Sequence, residues 1–167
     1  MTFQIRDIIT YKGEENYMTT LPLDQYLKNK KDINFIFQNT ACWHCYQCKW
    51  ELSDKMLFLT NFSAKIDGGK DVGLNYLFPN KKIVFANWFT GEIRIQMGEV
   101  LEYRNFNVIH EKDLIIQFKK GVLISERETN NEEDVKKRKI EHSEIVEKKL
   151  QKKSTIWGRF FGKKNKK

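Results

Sequence analysis

Between Glu92 and Met97 every second residue is apolar: Ile93, Ile95 and Met97 alternate with Glu92, Arg94 and Gln96. A period of two is the mark of a strand with one buried face and one wetted face. Leu114, Ile116 and Phe118 repeat the pattern, and Lys119-Lys120-Gly121 then turns the chain into Val122 to Ser125. A strand with one greasy face cannot stand alone, so segments of this kind require a sheet that buries that face against another layer.

The rest of the first 125 residues fits that frame. Short-range alternation over residues 3–11 leads to a turn at Lys12-Gly13-Glu14, and Tyr17 to Leu23 returns as a second strand. Leu23 and Leu27 are spaced for a short helix, and Ile33 to Phe37 is a compact apolar run. Thr40 to Leu52 and Met56 to Phe62 form a predicted hairpin across Ser53-Asp54-Lys55. Asp67-Gly68-Gly69 is a loop, and Asp71 to Phe78 gives one or two helical turns stopped by Pro79. Ile83 to Phe89 is β-branched and aromatic. The expected fold class is mainly β: an antiparallel sheet closed into a barrel or folded as a sandwich, with one or two short helices.

Composition changes at Glu126, where aromatic residues stop and charge dominates as far as Lys153. Asn131 or Thr129 can cap a helix whose first turn holds Glu132, Glu133 and Asp134. Glu132 and Lys136, Glu133 and Lys137, Asp134 and Arg138, and Glu144 and Lys148 are acid-before-base pairs at i, i+4. The apolar stripe is thin, with Val135, Val146 and Leu150. The expected organisation is therefore a β-rich domain over 1–125, a charged helical extension over 126–153 and a basic aromatic tail over 154–167.

That tail carries the charge imbalance of the whole chain. Residues 148–167 hold nine Lys or Arg and no acid, and the chain nets +8, so residues 1–147 net 8 − 9 = −1. Ile156, Trp157, Phe160 and Phe161 sit among Lys148, Lys149, Lys152, Lys153, Arg159, Lys163 and Lys164. On a helix the four apolar positions share one side, which is the composition of an interfacial helix on anionic lipid. Gly158 and Gly162 lower helix propensity, so folding on binding is expected. Arg159-Phe160-Phe161-Gly162 also resembles the C-terminal membrane-targeting helices of Min-type cell-division ATPases. Basic residues among aromatics suit single-stranded nucleic acid as well, through phosphate contacts and base stacking. A solvated lysine run needs neither a Trp nor two Phe.

Cys42-Trp43-His44-Cys45-Tyr46-Gln47-Cys48 holds the most conspicuous chemistry. If the segment is a tight loop, Cys42, Cys45, Cys48 and His44 are the donors of a zinc alternative. A strand through them would put Cys42, His44, Tyr46, Cys48 and Trp50 on one face and Cys45 on the other, with Cys42 and Cys48 about 20 Å apart. That spacing and the missing fourth cysteine argue for no metal and no cofactor. Cys42 and His44 would stand roughly 6–7 Å apart, beyond hydrogen-bond reach, which weakens a Cys–His nucleophile.

Thr40-Ala41-Cys42-Trp43 with Trp50-Glu51-Leu52 resembles a family of small uncharacterised bacterial proteins. So do Phe85-Ala86-Asn87-Trp88-Phe89-Thr90-Gly91-Glu92-Ile93-Arg94-Ile95 and the following Gly98, Leu101, Tyr103 and Glu111-Lys112-Asp113-Leu114. The resemblance covers residues 5–125, excludes the basic extension and implies no reaction. Its pattern has Arg and Gly where His44 and Cys45 stand here, and Cys48 is a further departure, so a metal site of three cysteines is not implied for the family. Trp43, Trp50, Trp88 and Phe89 are either core residues or the lining of a partner groove. The odd spacing of Trp43 and Trp50 puts them on opposite faces of a regular strand.

No run reaches the roughly 18 apolar residues of a spanning helix, and the first residues lack a signal-peptide pattern. The expectation is a cytoplasmic, non-enzymatic binding module. It would recognise a protein partner and be held at the inner membrane face by its tail. Nucleic-acid binding and a Cys–His enzyme are the alternatives.

Overall fold

The computed structural model describes the backbone of residues 4–28, 30–104 and 107–161, and their side chains except those of 107 and 153–161. The chain divides into two units, Met1–Asn130 and Asn131–Lys167. In the first, nine strands appear in chain order: β1 (Asp7–Tyr11), β2 (Glu14–Met18), β3 (Tyr46–Ser53), β4 (Met56–Ile66), β5 (Lys70–Gly73), β6 (Val84–Phe85), β7 (Gly91–Arg104), β8 (Asn107–Lys119) and β9 (Val122–Asn130). Two short helices interrupt them, α1 (Leu23–Leu27) and α2 (Leu74–Leu77).

The strands close on themselves. Their order is β3-β1-β2-β7-β8-β9-β4, and β4 pairs back onto β3, so a seven-stranded ring results with β5 and β6 attached to β4. Full closure leaves the ring itself without an unpaired edge. The ring is mixed, because β1 and β3 run parallel while its other pairs are antiparallel. Two joins are thin: β2 meets β7 through Met18↔Ile95 alone, and β4 meets β9 through Met56↔Val122 alone.

Three hairpins share one turn chemistry. Lys12-Gly13, Asp54-Lys55 and Lys120-Gly121 all have positive φ at both positions and join strands that pair directly on either side. Such two-residue turns match the right-handed twist of the strands. Gly121 is the most constrained of these residues, since a Cβ there would lie 2.5 Å from the Ala86 carbonyl oxygen at a φ of +76°. Gly121→Ala is expected to lower unfolding free energy by about 2 kcal/mol or more, from the left-handed backbone and the clash together. An unchanged urea midpoint would contradict that packing.

Inside the ring the strand period is visible as burial. Ile93 and Ile95 on β7 face inward, and they pair with Ile116 and Leu114 of β8, as the alternation predicts. Tyr46, Cys48 and Trp50 of β3 are buried at every second position. On β4 the buried set changes phase, from Leu57 and Leu59 to Phe62 and Ala64. A bulge explains this: Lys49 pairs with Asn61 and Trp50 with Leu59, so Thr60 is the extra residue. Its hydroxyl bonds the Lys49 carbonyl at 3.0 Å.

Several expectations need correction. Thr40 to Cys45 is a turn rather than the start of a strand, and β3 begins at Tyr46. The return strand β2 runs over Glu14–Met18, ahead of the predicted Tyr17–Leu23. Ile33 to Phe37 forms no regular element; Ile36 N–H bonds the Lys65 carbonyl, and Phe35 packs against Tyr46 and Phe62. Asp71 lies in β5 before the helical turn begins at Leu74. The composition change at Glu126 falls inside β9, where Ile116↔Glu126 and Ile115↔Arg127 pair with β8.

The second unit contains one helix, α3 (Glu132–Phe161), with Glu132, Glu133 and Asp134 in its first turn and an Lys136–Glu132 ion pair at 3.7 Å. It continues past residue 153, through Gly158, into the segment assigned to the tail. Ile140, Ile145, Val146 and Leu150 are exposed along it.

Candidate functional site

The segment before β3 is held by its own backbone and by the chain start. Asn39 Oδ1 accepts from Ala41 N–H at 2.9 Å, Cys42 N–H bonds the Asn39 carbonyl at 3.2 Å, and Cys45 N–H bonds the Cys42 carbonyl at 3.1 Å. Gln4 clamps the turn from outside: its amide donates to Thr40 O at 2.8 Å and accepts from Trp43 N–H at 3.2 Å. The turn therefore overrides the strand reading of Cys42 to Cys45. The Cys42 thiol reaches the Tyr46 carbonyl at 3.3 Å, which an extended chain would not allow.

The chemistry of the three cysteines follows from burial. All are free thiols. Burial pushes the Cys42 and Cys48 thiols above their ordinary range, Cys48 well above it with Asp7 adding to the shift. A thiolate is the form that attacks or ligates, so both rest as neutral thiols and must lose a proton before they react. His44 is pushed the other way by burial, toward the neutral imidazole. Its ring packs edge-on against Tyr46 at 4.7 Å, and its Nε2 has no hydrogen-bond partner among the described residues. The nearby carboxylate Asp24 accepts the Tyr46 hydroxyl at 2.6 Å. No group of three or more His, Cys, Asp or Glu that could hold a metal ion occurs among the described residues.

The polar centre of the barrel is Asp7, which the sequence analysis passes over. It is 0 % exposed. Its Oδ1 accepts from Cys48 N–H at 3.0 Å and its Oδ2 from the Trp50 indole N–H at 2.9 Å. Burial raises the Asp7 carboxyl from 3.8 to about 6, while the Trp50 and Cys48 bonds pull it back and Asp24 raises it further. The signal that could have found it is phase: Asp7 stands two residues before Ile9, on the inward face of β1.

The sign of its pH effect follows. A carboxyl held higher in the fold than in the open chain favours folding below pH 3.8, and that contribution is lost as pH rises to about 6. A displacement of this size corresponds to roughly 3 kcal/mol. Asp7→Asn is expected to flatten the stability profile across that window relative to the parent chain. Parallel denaturation profiles for the two proteins between about pH 4 and 7 would refute the assignment.

The four aromatic groove candidates separate. Trp50 and Phe89 are core: Trp50 is 0 % exposed, and Phe89 packs against Phe118 at 5.8 Å. Trp88 is half-buried, stacked on Phe78 at 5.5 Å and tilted against Tyr26 at 5.0 Å, with its indole N–H on the Pro22 carbonyl. Only Trp43 stands out, at 74 % exposure. The four therefore divide into two core residues, one member of a half-buried packing cluster and one exposed indole.

The thin join between β2 and β7 opens a cleft of about 520 Å³. Ile95, Met97 and Leu114 supply its apolar part, and Glu14, Glu126, Glu128 and Lys12 its charge. Tyr11 donates its hydroxyl to Glu126, and Lys12 lies 3.7 Å from the same carboxylate. Sequence reasoning misses this cleft because the pairing that creates it joins residues far apart in the chain.

Of the tail residues, Lys148, Lys149 and Lys152 are exposed on α3. The side chains of Lys153, Ile156, Trp157, Arg159, Phe160 and Phe161, and all of Lys163 and Lys164, lie outside the described residues.

These observations define a mixed, closed β-barrel unit followed by a long charged helical unit. Comparison with protein-family models, curated proteins and solved structures finds no match.

Proposed function

We propose that this chain is a non-enzymatic binding module that its C-terminal helix holds at an anionic membrane surface. The observation that supports this is the charge segregation along α3. Acids fill its first turn, and from Lys148 onward the chain carries nine cations and no acid. Exposed Val146 and Leu150 stand at i, i+4 on the same helix, and positions 157 and 161 continue that spacing as Trp and Phe. Lysines on anionic phosphates with aromatics at the headgroup boundary are the chemistry of a helix that lies on a bilayer. No helix of the described residues is long and apolar enough to cross one. The barrel would then meet a protein partner near the inner face of the membrane, as the resemblance of residues 5–125 to small bacterial proteins allows.

Vesicle sedimentation tests the reading. The full chain is expected to sediment with vesicles containing anionic lipid and to stay in solution with neutral ones. Removing residues 148–167 is expected to abolish sedimentation. Retention by single-stranded DNA that falls steeply with salt, without vesicle binding, would favour nucleic acid as the tail's partner instead.

A further inference from the structure

Cys42 and Cys45 are the two ends of one turn. The hydrogen bond from Cys45 N–H to the Cys42 carbonyl, at 3.1 Å, closes an i to i+3 turn. Turns of this kind hold their end Cα atoms within about 7 Å, and disulfides join Cα atoms about 4.4–6.8 Å apart. Cys45 takes a φ of +63°, a left-handed conformation that is strained for a residue with a side chain. The two thiols differ in access: Cys42 is buried and Cys45 is half-buried. Each is parked on a carbonyl, Cys42 on Tyr46 at 3.3 Å and Cys45 on Trp43 at 3.4 Å. Neither has a covalent partner, and Cys48 is buried inside the barrel, where its N–H bonds Asp7.

We propose that Cys42 and Cys45 form a thiol–disulfide couple that exchanges with small disulfides of the glutathione class. The more accessible Cys45, as its thiolate, attacks one sulfur of the small disulfide. A mixed disulfide forms, and one small thiolate leaves and takes up a proton. Cys42, once deprotonated, then attacks the Cys45 sulfur and expels the second small thiol. Two protein thiols are oxidised to one disulfide, and one small disulfide is reduced to two small thiols. Closure takes both sulfurs off their carbonyl acceptors. Trp43, between them and exposed, reports the change.

The test uses the full reduced chain with oxidised glutathione, followed by denaturation, alkylation and mass spectrometry. The reduced chain carries three alkylatable thiols. After oxidation one is expected to remain, on Cys48, with a Cys42–Cys45 link in the peptide map and a shift in Trp43 emission that dithiothreitol reverses. Cys42→Ser is expected to stop at a glutathione adduct on Cys45. Cys45→Ser is expected to keep both remaining thiols alkylatable, with an unchanged circular dichroism spectrum showing that it folds. Three alkylatable thiols after prolonged oxidation, a link that includes Cys48, or a stable glutathione adduct on Cys45 in the parent chain would each overturn the proposal.

Discussion

Trp50→Ala is expected to lower the unfolding free energy by about 3–5 kcal/mol. That is a large share of the roughly 5–15 kcal/mol that holds a typical domain together. Trp50 is fully buried, and its indole donates to a carboxylate that is itself fully buried. Truncation therefore opens a cavity and also removes one of the donors that make the Asp7 charge tolerable. Trp50→Phe separates the two effects. It keeps most of the apolar area and removes only the N–H, so a loss of about 1–3 kcal/mol is expected. That variant should also raise the Asp7 carboxyl further, because the indole bond is the first force pulling it down. Its deficit should consequently be larger near neutral pH than at pH 5. Urea melts at both pH values check this, and equal deficits at the two would disconnect the indole from the carboxylate.

Deleting residues 148–167 is expected to weaken binding to anionic vesicles by about three orders of magnitude. Each Lys or Arg near such a surface contributes roughly 1 kcal/mol, and about half of the nine cations gives roughly 4 kcal/mol, or close to a thousandfold. Aromatic burial adds to this term without depending on salt. Two point variants divide the contributions. Trp157→Ala with Phe160→Ala should weaken binding at every ionic strength. Lys148→Gln with Lys149→Gln should weaken it chiefly at low salt, where screening is least. If the aromatic variant binds like the parent chain, the tail acts as a simple polycation.

The parts of the barrel that were legible are those where local pattern and final register agree. Ile93 and Ile95 opposite Ile116 and Leu114 is the clearest instance, because both strands carry one wetted face and a period of two. Turns were legible where Gly or Asp marked a left-handed position, as at Gly13, Asp54 and Gly121. The end of β9 was not, because Glu126, Arg127 and Glu128 look like the start of a solvated helix. Pairing with β8 overrides that local preference. The parallel pairing of β1 with β3 left no trace either, since it depends on contacts between residues some forty positions apart. The candidate site shows the same division. The tail announces itself by composition, whereas the Asp7 network requires knowing that Ile9 and Trp50 become neighbours. The turn at Cys42 to Cys45 was hidden because its clamp, Gln4, is remote in sequence.

The two single-pair joins of the ring divide it into lobes that are different kinds of folding problem. β7, β8 and β9 are one uninterrupted stretch of chain, Gly91 to Asn130, and pair only with their sequence neighbours inside that lobe. The other lobe must bring β1 beside β3 across the whole α1 segment before its parallel pair can form. Loop closure of that length delays such contacts, so the meander of 91–130 is placed to form first and act as a template. The same joins are where the finished barrel should breathe. Amide protons of the strand centres, Ile93 or Ile116, should exchange with solvent only through global unfolding. Those at Thr19, Leu57 and Leu123, whose bonds to the Arg94, Gly121 and Lys55 carbonyls cross the joins, should exchange by a cheaper parting of the two lobes that leaves each hairpin intact.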